Sequence, residues 1–188
     1  MTQIRVKKWK LAVWLVVTVV FFAVVPAADA FTETGAAIFG HMDTDLEDKR
    51  LEGAGIQFLF ATKLKKWEKV RMDFTLEMSE GLYGDYAEGF EVCLVPGLRA
   101  YLPGLKTIGI TPFMEAGLGL SYTNLDIDEL GLPVNFRSFG GMGVRIRVSR
   151  GWNLDLGCRI THISNAGLDE RNHGVSSIMP VIGLVTAF

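Results

Sequence analysis

From about residue 33 to the end of the chain, apolar and polar residues alternate in runs separated by turn-forming residues. Side chains of a strand point alternately to its two faces, so a period of two marks strands with one apolar and one polar face. Eight such runs are legible, at roughly 33–42, 53–63, 68–79, 88–102, 107–122, 134–148, 152–164 and 175–188. In the third, Val70, Met72, Phe74, Leu76 and Met78 share a face against Arg71, Asp73, Thr75 and Glu77. The fourth sets Phe90, Val92, Leu94, Leu98 and Ala100 against Glu91, Cys93, Val95, Arg99 and Tyr101. In the fifth, Ile108, Ile110, Met114, Ala116, Leu118 and Leu120 oppose Thr107, Gly109, Thr111, Glu115, Gly117 and Gly119, with Phe113 an apolar intruder among the latter. The seventh sets Trp152, Leu154, Leu156, Cys158 and Ile160 against Asn153, Asp155, Gly157, Arg159 and Thr161, while runs one and two alternate less cleanly.

Eight strands with no helical period between them predict an all-β, eight-stranded antiparallel up-and-down barrel. Eight strands leave an interior that side chains fill. Short turns are expected near Leu64–Trp67, Pro103–Lys106 and Ser149–Gly151, and longer loops at 43–52, 80–87, 123–133 and 165–174. Short turns at one end and long loops at the other are the pattern of transmembrane barrels of the outer-membrane type.

A soluble lipocalin-like barrel alternates in the same way with the faces exchanged. Two features favour the membrane. The polar face of strands three to seven carries Arg71, Arg99, Arg137, Arg145, Arg147 and Arg159 with Asp73, Glu77, Glu91, Glu115 and Asp155, and its only lysine is Lys69 at the start of strand three. Arginine suits enclosed ion pairs, whereas a solvated face mixes in lysine. That face also holds Gly97, Gly117, Gly119, Gly141, Gly143 and Gly157, as a narrow lumen requires. The apolar face then meets lipid, with Trp152, Tyr122 and Phe188 as interfacial aromatics.

The N-terminus fits export. Arg5, Lys7, Lys8 and Lys10 precede an apolar run from Leu11 to about Val25, and Ala28-Asp29-Ala30 supplies an A-x-A site. Residues 1–30 are expected to be a signal peptide and 31–188 the barrel domain. The alternative, a membrane anchor, asks for ~20 apolar residues where this run has roughly 15. Removing the leader takes four basic residues and Asp29 from a chain of net charge −2, leaving 15 basic and 20 acidic residues and a net of −5. Such a balance argues against a nucleic-acid partner.

With the N-terminus on the periplasmic side, strand seven runs outward and ends at the outer leaflet. There its apolar face changes character: His162 and Ser164, at i and i+2, follow Ile160 on the lipid side. Polar residues facing lipid are costly and are functional candidates. An imidazole beside a hydroxyl suits nucleophilic catalysis, the ring taking the proton as serine attacks a carbonyl. The plainer reading is a strand end emerging among headgroups.

The stretch RITHISNAGLDERNHG, preceded by SFGGMGVRIRVSRGWNLDLGC, resembles the signature of the lipid A 3-O-deacylase (PagL) family. The matching core is H-x-S-N-A-G-L followed by N-x-G: His162, Ser164, Asn165, Ala166, Gly167, Leu168, Asn172 and Gly174. The resemblance is strong over the last ~55 residues and architectural before them. It implies an outer-membrane barrel that hydrolyses the ester at position 3 of lipid A, needs no cofactor and meets lipopolysaccharide in the outer leaflet. It further implies Ser164 as nucleophile and His162 as general base. Asn172 with the backbone amide near Gly167 would form the oxyanion hole, and Asn165 belongs to the same substrate-binding stretch. Asn165, Gly167, Asn172 and Gly174 equally suit a turn.

One position departs from the family. Its triad acid falls fourteen residues after the histidine, and here that position is Ser176. If the hairpin pairs Ser164 with Gly174, Ser176 lies opposite His162 on the same face. A serine accepts the imidazole N–H but supplies no charge, and breaking that role in a serine protease costs about 10⁴ in kcat. Asp169, Glu170 and His173 in the adjacent loop are the available substitutes.

His41 and His173 carry no metal-ligand pattern, and no metal site is expected. The loop acids Asp43, Asp45, Glu47, Asp48, Asp126, Asp128 and Glu129 read as solvated, with bridging of divalent cations to lipopolysaccharide phosphates as the sharper alternative. Cys93 and Cys158 fall on opposite faces, which speaks against a disulfide. Two further readings stand beside the enzyme: a non-catalytic barrel, structural or adhesive, that lost the triad acid, and a soluble periplasmic ligand-binding barrel.

Overall fold

The computed structural model describes residues 31–44, 51–66, 70–85, 87–103, 109–127 and 129–187. The expected signal peptide and Phe188 lie outside these residues. Eight antiparallel strands close into a barrel in chain order. They are β1 (Glu33–Asp43), β2 (Leu51–Lys66), β3 (Arg71–Asp85), β4 (Gly89–Tyr101), β5 (Ile110–Thr123), β6 (Val134–Ser149), β7 (Trp152–Ser164) and β8 (Val175–Ala187). Closure is made by β1 on β8, with Ile38 opposite Ile182.

One expected loop is a strand. β3 runs on to Asp85, pairing Gly81 with Glu91 and with Gly55, so the connection expected at 80–87 shrinks to 86–88. Leu82 and Tyr83 continue the alternation, one exposed and one buried. At the other end, the connection from β4 to β5 spans 102–109, longer than the turn expected at Pro103–Lys106.

The inside of the barrel is charged. A continuous chain of ion pairs runs from Asp73 through Arg71, Glu33, Arg145, Asp155, Arg99, Glu115 and Arg159 to Glu77, with separations of 2.5–3.0 Å. Nearer the loop end, Glu91 takes hydrogen bonds from Arg137 (2.5 Å) and the Tyr83 hydroxyl (2.7 Å). Each buried guanidinium meets carboxylates or a soft acceptor, as buried charge requires. The aromatic intruder also finds its place, because Arg99 lies over the Phe113 ring at 4.4 Å. Arg159 covers Phe139 likewise at 4.3 Å. Cation–π contacts of this kind explain why rings share a face with arginines. The lumen glycines make room for them: a Cβ on Gly143 would lie 2.5 Å from Phe113, and one on Gly117 2.5 Å from Phe139.

The outside is apolar and uncovered. Ile160 is 68% exposed and Met142 64%, with Ile38, Leu118 and Ile182 above half. An apolar surface on every strand of a closed barrel suits lipid. One residue qualifies the face assignments. Glu80 shares the outward register with Ile56 and Val92, yet it is buried among side chains of the wall and its Oε2 has no partner among the described residues. Cys158 is exposed outside while Cys93 is buried inside, and both are free thiols.

At the loop end the lumen is plugged. Leu125, Ile127 and Leu130 of the β5–β6 loop pack on Leu51, Tyr83, Ile163 and Val175. The loop sequence LDIDEL carries the alternation on through Ile127. Its apolar residues turn inward and Asp126 is left exposed to solvent, while Asp45, Glu47, Asp48 and Asp128 lie outside the described residues.

Candidate active site

β7 ends at Ser164 because Asn165 turns the chain. Its Oδ1 accepts hydrogen bonds from the amides of Gly167 (2.9 Å) and Leu168 (3.1 Å). This is the local side-chain bonding by which asparagine replaces a ladder with a turn. Ala166 and Gly167 follow with φ of 56° and 82°, in the left-handed region. The Asn165 side chain is itself buried, and its Nδ2 donates to the carbonyls of Leu130 (3.0 Å) and Arg171 (2.9 Å).

Just below this turn, His162 and Ser164 lie on the outer wall, in register with Ser138 and Phe136 of β6. Together with Leu118 and Ala166 these four line an open groove of about 330 Å³. His162 also faces Ser176 of β8, whose Oγ lies 3.0 Å from the imidazole Nδ1. The three residues expected to act together are thus neighbours on one face. Ser138 was not foreseen. Its signal was available, since it is the one hydroxyl among Val134, Phe136, Gly140, Met142 and Val144 on the outward face of β6.

The residues expected to bind an oxyanion have different surroundings. Asn172 is half-buried and its Oδ1 accepts the Asn165 amide at 2.8 Å, which leaves its Nδ2 with no acceptor among the described residues. The Gly167 amide is committed to Asn165 Oδ1. Asn165 is engaged at both ends of its side chain and braces the loop from below. Of the proposed stand-ins for the missing acid, Asp169 holds the amide of Arg171 at 2.9 Å and its guanidinium at 3.4 Å. Glu170 and His173 are exposed, and the hydroxyl at Nδ1 belongs to Ser176. His41 lies inside the barrel, edge-on to Tyr83 at 5.0 Å between ring centroids.

Fold and site define a membrane-spanning barrel of eight strands with a serine–histidine pair on its outer wall. The sequence model of the lipid A 3-O-deacylase (PagL) family matches residues 52–184, and the chain belongs to that family. Over 71 residues it is 37% identical to the lipid A deacylase PagL of Pseudomonas aeruginosa, a match that spans 36% of this chain and 39% of the relative. The fold is similar to the crystal structure of the outer membrane enzyme PagL, with a TM-score of 0.62, 18% identity, and coverage of 80% of this chain and 97% of that one. It is also similar to Neisserial surface protein A, with a TM-score of 0.56, 15% identity, and coverage of 83% and 96%. This is an outer-membrane β-barrel of the bacterial cell.

Proposed function

We propose that this barrel hydrolyses the ester-linked acyl chain at the 3-position of lipid A, by serine–histidine catalysis on its lipid-facing wall. The observation that carries the reading is the triple Ser164, His162 and Ser176 on one outer face, beside an apolar groove. Its family membership supports the substrate class.

In this mechanism the Nδ1–H of His162 donates to Ser176 Oγ, which leaves the lone pair on Nε2. Ser164 Oγ attacks the ester carbonyl and its proton passes to Nε2. The tetrahedral oxyanion takes a hydrogen bond from Asn172 Nδ2, whose direction the Asn165 amide fixes through Oδ1. Collapse expels the sugar hydroxyl, which takes the proton from the imidazolium. Water, deprotonated by Nε2, then attacks the acyl-serine; the fatty acid is released and Ser164 Oγ, as leaving group, takes the proton back from the imidazolium. No cofactor enters these steps. Lipid A reaches the groove laterally within the outer leaflet, so a site on the outside wall needs no passage through the barrel.

A second reading is a non-catalytic barrel, and one observation favours it: the group on Nδ1 is a hydroxyl and carries no charge. Mass spectrometry of lipid A separates the two. In a host with intact lipid A, the wild type is expected to remove one ester-linked acyl chain and Ser164→Ala to remove none. Identical lipid A from both strains would sink the enzyme reading.

A further inference from the structure

Gly174 precedes β8 with φ of 72°, a conformation that favours glycine. A Cβ built there would lie 2.6 Å from Cε1 of His162 and 3.0 Å from Nε2. The imidazole therefore occupies the space that any other residue at 174 would fill. Its other nitrogen, Nδ1, is tied to Ser176, two residues further on in β8. The ring is thus fixed on two sides, by a hydrogen bond from β8 and by the bare Cα of the residue that precedes it.

Gly174 is in turn fixed from outside the hairpin. Its amide donates to the carbonyl of Glu129 at 3.0 Å. The neighbouring carbonyl of Leu130 accepts Asn165 Nδ2, and that of Gly131 accepts Arg171 Nη2 at 3.0 Å. Three consecutive carbonyls of the β5–β6 loop therefore hold the β7–β8 loop at its start, middle and end.

We infer that Gly174 is a positioning residue for His162, the seat against which the Nε2–Cε1 edge rests, and that the Glu129–Gly131 turn holds this seat in place. The inference deepens the proposed serine–histidine chemistry, because Nε2 is the atom that must meet the Ser164 hydroxyl. Here the ring has only a neutral partner at Nδ1, so its aim depends on packing.

Two measurements test it. Gly174→Ala is expected to lower kcat on lipopolysaccharide by about 100-fold, the scale of a misplaced catalytic group, with KM unchanged. Labelling of Ser164 by a fluorophosphonate should slow in parallel. Gly151→Ala is the control for backbone strain, since Gly151 has φ of 86° and, among the described residues beyond its chain neighbours, no heavy atom nearer than 4.0 Å to an added Cβ. It should keep wild-type kinetics. An unchanged kcat in Gly174→Ala, or an equal loss in Gly151→Ala, overturns the proposal.

The second measurement does not depend on turnover. Gly174→Ala should lower the Tm of the folded barrel more in the wild type than in a His162→Ala background, where the ring is gone. Equal losses in both backgrounds would mean that the imidazole does not rest there. If the wild type leaves lipid A intact while this difference in Tm persists, the hydrolase reading fails and the seat stands.

Discussion

The imidazole of His162 and the hydroxyl of Ser176 face each other across the β7–β8 ladder, with Nδ1 and Oγ 3.0 Å apart. The position keeps the geometry of a triad partner and lacks its charge. Ser176→Glu should therefore raise kcat by about tenfold or more, because a carboxylate stabilises the imidazolium that a hydroxyl only orients. Ser176→Ala should lower it by about fivefold to tenfold, the effect of one neutral hydrogen bond. Rates of acyl release from purified lipopolysaccharide check both, and a slower Ser176→Glu enzyme would show that the charge is supplied elsewhere.

Asn165 makes four side-chain hydrogen bonds and orders the loop that carries Asn172. Asn165→Ala removes all four and leaves carbonyls unpaired, at about 1–3 kcal/mol for each buried group left without a partner. Limited proteolysis should then cut within 165–174 while the strands stay protected. Loss of activity without new cleavage would assign Asn165 a direct chemical part.

Arg99 bonds to Glu115 on one side and Asp155 on the other, at the centre of the interior ion chain. Arg99→Met leaves Glu115 with Arg159 and Asp155 with Arg145 but removes the cation between them, and an uncompensated charge in such a buried network costs about 3–5 kcal/mol. Urea unfolding of the barrel in lipid vesicles measures the loss. A change below 1 kcal/mol, within the range of an exposed pair, would mean that water enters the lumen freely.

Glu80 is the converse case. It is 7% exposed in the outer wall, flanked by Ile56 and Val92, and its Oε2 has no partner among the described residues. Glu80→Met should stabilise the barrel by about 1 kcal/mol, since a carboxylate facing lipid is a net cost. The same unfolding experiment tests it, and a destabilised variant would point to a cation held by that carboxylate.

The sequence made the walls legible and left the mouth obscure, for a physical reason. Strand parity is a local property, so the bounds of β7 and the outward pointing of His162 and Ser164 could be read from residues two apart. Phe113 looked out of place because its partner, Arg99, is on another strand. The alternation of β3 fades after Ser79 because Glu80 and two glycines interrupt its pattern, although the ladder continues through them. The anchoring of Gly174 and Asn165 on Glu129 and Leu130 joins segments about forty residues apart, and no spacing within either segment announces it. Ser138 needed the register of β6 against β7 before its place beside His162 had meaning.

The barrel wall is a single strand thick. Arg159 and Thr161, which face the lumen, alternate in the same segment with Ile160 and His162, which face outward. Inner electrostatics and outer chemistry are thus carried on odd and even positions of one stretch of chain, which lets point substitutions alter either without touching the other. The same interleaving makes the frame of β7 unforgiving: inserting one residue after Gly157 would turn Arg159 toward the acyl chains and His162 into the ion chain.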